Sequence, residues 1–498
     1  MPLASDAASL FINGEWTEAS DGGQRAVVNP FDASVIAQVP EATTDDVDRA
    51  IRAARAAFDE GSWAQAPAAR RAAVLTATAE ALQEQREELA RLETLDTGKT
   101  LEEGRIDVDD ATSVFRYYAA LVATEAGRAV DVGRPDVVSR VVHEPVGVCG
   151  LITPWNYPLL QISWKVAPAL GAGNTVVAKP SEVTPLTTVR LFRILQEKLA
   201  DAGAPDGTAN LVLGGGAVGA VLAEHPLVDL VSFTGGGVSG RSVMRAAAET
   251  VKKVALELGG KNPNIVFADA DFDAAVDFAL SAAFVHSGQV CSAGSRLLLH
   301  RSLHERFVAE LARRAELIRV GDGLDKDSET GPLVTAEHRA KVEAHIAGAL
   351  AEGAILRAGG GRPLEPELQD GFFLRPTVLD GCHAGMTIIR EEVFGPVLTV
   401  ELFDEEDEVV ALANDTPYGL AGAVWTQDAG RGERVAARLR LGTVWINDYH
   451  PYVPQAEWGG FKQSGTGREL GPSGLHEYQE AKHIWRTVSP APQRWFAG

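Results

Sequence analysis

The sequence predicts an α/β fold built from two doubly wound parallel sheets, with a separate β-arm. Three observations carry that prediction. From Val146 onward, short apolar runs of strand character alternate with segments of helical period, the rhythm of strand–helix–strand units whose strands lie parallel. The alternation restarts near residue 258 and runs to about 465, so a sheet of this kind is expected twice. The chain has 498 residues and 45% hydrophobic content, enough for two or three domains with a core in each. The expected parts are residues 1–125 with 146–257, residues 258–465, and an arm at 126–145 with a tail at 475–498.

The elements follow in order. Leu10-Phe-Ile-Asn-Gly-Glu-Trp16 opens a hairpin region over 10–40, because Asn-Gly supplies the positive φ a tight turn needs. Helical periods cover 44–58, 68–95 and 100–123. The first has Thr44 as its cap candidate, with Asp45, Asp46 and Asp48 suiting the positive end of the helix dipole. Residues 136–143 alternate polar and β-branched side chains, as in a hairpin arm leaving the domain. The first block then runs strand 146–152, helix 158–170 with Pro168 expected to bend its end, strand 175–178, helix 184–199, and strands 210–213, 230–233 and 254–257. Cys149, inside an apolar strand, reads as core. Residues 271–285 read as an amphipathic helix and 297–300 as a short buried strand. The tail contains a strand-like run at 483–488.

Chemistry concentrates in a few stretches. Ser287-Gly-Gln-Val-Cys291-Ser-Ala-Gly-Ser-Arg296 places one cysteine in a small, polar, glycine-flanked loop between helix and strand. A free thiol, with a pKa of about 8.5, needs a base or an electropositive setting to act as a nucleophile; otherwise the residue is a small buried apolar one. Ala255-Leu-Glu257-Leu-Gly-Gly-Lys261 sets a carboxylate in an apolar run, where low dielectric raises its pKa and makes it a base; the alternative is a strand-end Glu facing solvent. Thr153-Pro-Trp-Asn156-Tyr-Pro158 is a strand-to-helix turn in which Asn156 could be no more than a cap. Phe233-Thr-Gly-Gly-Gly-Val-Ser-Gly240 matches GxGxxG at Gly235, Gly237 and Gly240, between strand and helix, the setting of a dinucleotide fingerprint. By spacing alone, the acidic ribose ligand about 20 residues on would be Glu257, which competes with its role as base. Lys179-Pro-Ser-Glu182 reads locally as a solvated strand end. Tyr157 and Trp164 are seven residues apart on one helix face, more often core than cage.

The cysteine loop and the glutamate run together resemble the aldehyde dehydrogenase superfamily, over almost the whole chain. The resemblance implies NAD-binding, catalytic and oligomerisation parts for the three divisions above. It makes Cys291 the nucleophile, Glu257 the base, and the Asn156 amide with the Cys291 backbone N–H the oxyanion holder. It moves the adenine-ribose ligands to Lys179 and Glu182, and brings Ile152, Thr153, Pro154, Trp155, Ser181, Gly215, Phe233, Thr234, Gly235, Gly236, Leu258 and Gly259 to NAD. Where the family often has Ser or Thr, this chain has Gly236. In Glu391-Glu-Val-Phe-Gly-Pro396, Glu392 is implied to bind the nicotinamide ribose and Phe394 to pack near its ring. Lys165 and Glu469 look like a buried pair behind the site, a proton path or equally a structural ion pair. Tyr157, Trp164 and Trp458 match the box that binds trimethylammonium in the betaine aldehyde dehydrogenase branch, and the stretch from Trp445 through Tyr452 to Trp458 resembles its bacterial members. Val285 stands where related enzymes often carry an aromatic, so Tyr449, His450 or Tyr452 is expected to complete the cage. The implied reaction is NAD-dependent oxidation of an aldehyde, betaine aldehyde first. The alternative is an ω-aminoaldehyde or semialdehyde, whose ammonium Asp107 and Asp110 could meet. A catalytically silent binding protein is the reading outside that class.

Composition limits the partners. A net charge of -22 disfavours nucleic acid and anionic membranes. Cys149, Cys291 and Cys382, far apart in sequence, give neither CxxC nor a disulfide framework, as suits a reducing cytoplasm. The first residues lack the basic-then-apolar pattern of a signal peptide, no apolar run reaches ~18 residues, and no metal-ligand spacing is present. In the family the arm and tail pair across subunits, which implies a homo-oligomer.

Overall fold

A computed structural model describes residues 9–496. The first eight residues, where a signal peptide was sought, and the last two of the tail lie outside the described residues. Among those described, an eight-stranded sheet runs in the order Gly465–Thr466, Lys253–Leu258, Leu230–Gly235, Val148–Ile152, Thr175–Lys179, Ala209–Leu211, Leu10–Ile12, Glu15–Thr17. Its five central strands are parallel and its borders antiparallel. The chain winds one way from Val148–Ile152 and the other way from Leu230–Gly235. Between the carboxyl ends of these two neighbours lies the switch point where such sheets receive ligands.

A second sheet of seven strands, Ile355–Ala358, Thr377–Asp380, Val397–Phe403, Arg296–His300, Pro263–Val266, Ala421–Trp425 and Thr443–Ile446, is parallel except at its first pair. Continuous burial of strands such as Val148–Ile152, Thr175–Lys179 and Ala421–Trp425 explains why they read as unbroken apolar runs: helices cover both faces. The strand Gly465–Thr466, at the end of the second block in sequence, crosses back to the first sheet and pairs beside Leu256 and Glu257. The expected arm is Val137–Pro145, paired along its whole length with the tail strand Gln479–Thr487.

Two elements differ from expectation. The first helix, Thr44–Asp59, is capped by Thr43 and not by Thr44: the Thr43 hydroxyl accepts from the Asp46 N–H at 3.2 Å. The helix read over 68–95 is two, Ala68–Glu84 and Arg86–Thr97, broken at Gln85, whose ψ of 15° leaves the helical region. No Gly or Pro marks this break. The helix Pro158–Ala172 holds Pro168 near its end and stops on Gly173 with φ 100°, a conformation glycine adopts freely.

Candidate active site

Cys291 follows the helix Phe272–Phe284, capped by Asp271, whose carboxylate accepts from the Ala274 N–H at 3.0 Å. The chain then turns through His286 and Ser287, both left-handed, and Gly288 at φ 68°. A Cβ on Gly288 would fall 2.2 Å from the Gly395 carbonyl oxygen, so the residue type is fixed by both φ and space. The Asn262 amide donates to the Cys291 carbonyl at 2.8 Å and to that of Ala293 at 3.0 Å, fixing the loop after the thiol.

Glu257 is near the end of Lys253–Leu258, the last parallel strand of the first sheet, and is 2% exposed. The Trp458 indole N–H donates to its Oε1 at 3.0 Å. Burial first, then the neighbouring Glu469 charge, pushes the Glu257 carboxyl well above the usual range. Burial, with the Glu257 and Glu392 charges, pushes the Cys291 thiol up as well. Asn156 is buried, and its amide donates one hydrogen to the Gln289 carbonyl at 2.9 Å. Cys291, Glu257 and Asn156 line one cavity of about 210 Å3, together with Pro154, Trp155, Gly235, Gly236, Leu258, Gly259, Glu392 and Phe394. Gly259 is needed there: a Cβ would sit 1.9 Å from the Glu392 carboxylate, which accepts the Gly260 N–H at 3.1 Å. Burial raises the Glu392 pKa to about 7.

On one side this cavity adjoins a second, of about 440 Å3, at the switch point of the first sheet; the two share Pro154, Trp155, Thr234, Gly235 and Gly236. Ile152, Thr153, Lys179, Ser181, Glu182 and Phe233 also line it, as does the start of the helix Gly237–Ala248. A Cβ on Gly240 would come 2.6 Å from Leu258, so the third glycine of the motif lets this helix pack on the strand. Lys179 Nζ lies 3.5 Å from Glu182, and burial lowers its pKa. Gly215 stands just behind the rim, giving its N–H to Glu41 at 3.0 Å, while Gly216 faces the cavity.

On the other side, Cys291 lines a third cavity of about 440 Å3 with Tyr157, Trp164, Asp107, Asp110, Tyr449, His450, Tyr452 and Val285. Lys99 Nζ lies 4.1 Å from the centroid of the Tyr157 ring and is ion-paired to Asp107, so the Asp107 carboxylate is already engaged. Asp110 is freer; burial, then the Asp109 charge, raises its pKa to about 6. Trp458 is not among the residues lining this cavity. It stacks on Trp445 at 6.3 Å and meets Tyr452 edge-on at 4.9 Å and Trp164 at 6.4 Å, both of which line the cavity. Its buried indole N–H needs an acceptor, and Glu257 supplies one.

Lys165 and Glu469 are buried and hydrogen-bonded to each other, and Lys165 also donates to Ser232 at 2.9 Å. Glu469 is tied to Trp458 by two backbone hydrogen bonds of 2.7 Å. Sequence reasoning missed Gln161, which lines both the cysteine cavity and the aromatic one, its buried Oε1 without a hydrogen-bond partner. It also missed Glu103 at the aromatic cavity and His338 and Lys341 at the cysteine cavity. Gln161 is one turn from Tyr157 on the same helix face, a spacing that could have nominated it.

The family model described as "Aldehyde dehydrogenase family" matches residues 16–484. The chain belongs to the aldehyde dehydrogenase family. It is 57% identical over 489 residues to the betaine aldehyde dehydrogenase of Bacillus subtilis (strain 168), covering 98% of this chain and 99% of that one. It is 43% identical over 503 residues to aminoaldehyde dehydrogenase 2, peroxisomal, of Pisum sativum, covering 100% and 99%. A crystal structure of Staphylococcus aureus betaine aldehyde dehydrogenase in complex with NAD+ superposes with a TM-score of 0.97 at 52% identity, over 99% of this chain and 97% of that one.

Proposed function

We propose that the chain oxidises betaine aldehyde to glycine betaine with NAD as hydride acceptor. The observation that carries this reading is the position of Cys291, which lines both the cavity shared with Glu257 and the aromatic cavity behind it. The names of its relatives give the substrate and the cofactor. The residues present fit NAD: an open-faced glycine turn at Gly236 leads into a helix N-terminus, suited to a pyrophosphate, and Glu182 and Glu392 are carboxylates suited to ribose hydroxyls. Bound there, NAD supplies the acceptor for the aldehyde hydride.

Cys291 as thiolate attacks the aldehyde carbon from the aromatic side. The second Asn156 amide hydrogen and the Cys291 backbone N–H hold the resulting oxyanion, each donor contributing roughly 10²–10³ in rate. Loss of hydride leaves a thioester on Cys291. Glu257 takes a proton from water, the water oxygen attacks the acyl carbon, and the C–S bond breaks to release acid and free thiol. The Lys165–Glu469 pair, behind the base, is its proposed proton exit.

A steady-state comparison of betaine aldehyde, a neutral aldehyde of similar size and a primary aminoaldehyde tests the substrate. Betaine aldehyde is expected to give the highest kcat/KM; an equal value for the neutral aldehyde would overturn the assignment. One observation favours a second substrate class: Asp110 lines the cavity and can accept hydrogen bonds that only a primary ammonium donates. Asp110→Asn should therefore slow aminoaldehyde oxidation more than betaine aldehyde oxidation. The proposal includes a homo-oligomer built through arm and tail, in the cytoplasm. Among the described residues no helix is long and apolar enough to cross a membrane.

A further inference from the structure

Away from these cavities, three segments converge at the root of the arm. Glu125 caps the C-terminal end of the helix Leu101–Thr124, His143 stands on the arm strand, and His476 lies in the last turn of the helix Gly471–Glu477. The tail strand brings them together, since Ala481 pairs with His143 a few residues after that helix ends. His143 Nδ1 is hydrogen-bonded to Glu125 Oε1. His476 Nε2 lies 4.0 Å from the same oxygen, and the two imidazole centroids are 5.2 Å apart. One ligand atom from each of the three side chains falls within 4.8 Å of the others, the one such trio among the described residues.

We propose that Glu125, His143 and His476 form a binding site for a divalent transition-metal ion, zinc first. Zinc takes imidazole nitrogen and carboxylate oxygen at about 2.0–2.2 Å in a tetrahedral arrangement, which sets neighbouring ligand atoms about 3.3–3.5 Å apart. His476 therefore has to approach by about one ångström, while the His143–Glu125 pair, in direct hydrogen-bond contact, has to open to admit the ion. His476, half exposed and at the end of a short helix, can make most of that movement. His143 binds through Nδ1 as the neutral imidazole with its one proton on Nε2, and exchanges its hydrogen bond to Glu125 for a shared metal. Water fills the fourth position. Calcium and magnesium suit the trio poorly, because they ask for six or more oxygens and two of the three ligands are nitrogen. The Arg71 guanidinium, which feels the Glu125 charge, works against any cation there. A bound ion would tie the domain helix, the arm and the tail at one point.

The test is zinc chloride titration of the full chain carrying Cys291→Ala, which removes the cavity thiol as a rival ligand, with cobalt(II) as a coloured stand-in. Uptake of about one ion per chain, a zinc-dependent rise in Tm and a tetrahedral cobalt spectrum are expected. In His476→Ala, whose exposed side chain leaves the fold intact, all three should disappear, and in Glu125→Gln they should weaken. No uptake by the parent, or uptake that survives His476→Ala, overturns the site.

Discussion

Cys291 and Glu257 share one cavity; burial raises the proton affinity of both, and the Glu257 charge raises that of Cys291 further. The anionic forms that the proposed nucleophile and base need are populated only as pH rises. Turnover is expected to climb with pH from neutral into the alkaline range, and a pH profile that falls over that range would contradict the roles. Cys291→Ala should abolish turnover. Cys149→Ala and Cys382→Ala should retain it, since both are buried in core clusters and burial raises their thiols. Glu257→Gln should slow thioester hydrolysis by about 10²–10⁴ and expose a burst of reduced cofactor; normal steady-state turnover would end the base assignment. Glu392 gives a separate pH signal. Its pKa of about 7 means that the carboxylate, the stronger acceptor, replaces the neutral acid as pH rises through that value. NAD affinity should tighten over the same interval, by roughly fivefold for about 1 kcal/mol, and Glu392→Gln should flatten the dependence. That Cys291, Glu257 and Asn156 are candidate residues was legible in sequence because each sits in a loop or strand end with an unusual composition, and the structure brings the three to one cavity. The Trp458–Glu257 hydrogen bond was not, as it joins residues 201 apart.

At the scale of elements, the strand–helix rhythm marked the parallel strands, because strands covered on both faces lose their alternation and become plain apolar runs. The order of the strands and the return of Gly465–Thr466 to the first sheet depend on pairings that local pattern does not encode. The break at Gln85 was hidden for a similar reason: no breaker residue marks it, and Arg86, at the start of the new helix, pairs with Asp109 of another helix at 2.7 Å. The zinc trio shows no spacing signature because its ligands come from three elements. Two variants separate packing from chemistry in the aromatic layer. Trp458→Phe keeps the ring but removes the N–H that Glu257 accepts, so kcat should fall with KM for betaine aldehyde nearly unchanged. Tyr452→Leu removes a cavity wall, and KM for betaine aldehyde should rise more than KM for a neutral aldehyde, by an amount matching about 0.5–2 kcal/mol of ring–cation attraction. Equal losses for both aldehydes would show Tyr452 to be packing alone.

For the whole molecule, the sheet of Gln479–Thr487, Val137–Pro145 and Arg128–Ala129 raises a problem of cover. Side chains on a strand alternate between faces, and the register sets Trp485 opposite Ser139 and Val138 opposite Arg486. Trp485 and Val138 therefore point to opposite faces, and each is about half exposed, at 48% and 50%. A sheet with exposed apolar groups on both sides, and a tail strand at its edge with unpaired backbone groups, lacks a partner among the described residues. A second copy offering the same surface would meet that need, since like patches pair about a two-fold axis. Sedimentation of the native chain should give a dimer or a larger even-numbered assembly. Trp485→Glu should shift it toward smaller species, because a charge on an apolar interface is costly unless paired. Arg486→Glu leaves the apolar groups in place and serves as the control for added acidity. If Trp485→Glu sediments as the native chain does, the arm and tail do not make the assembly, and their exposed tryptophan needs another explanation.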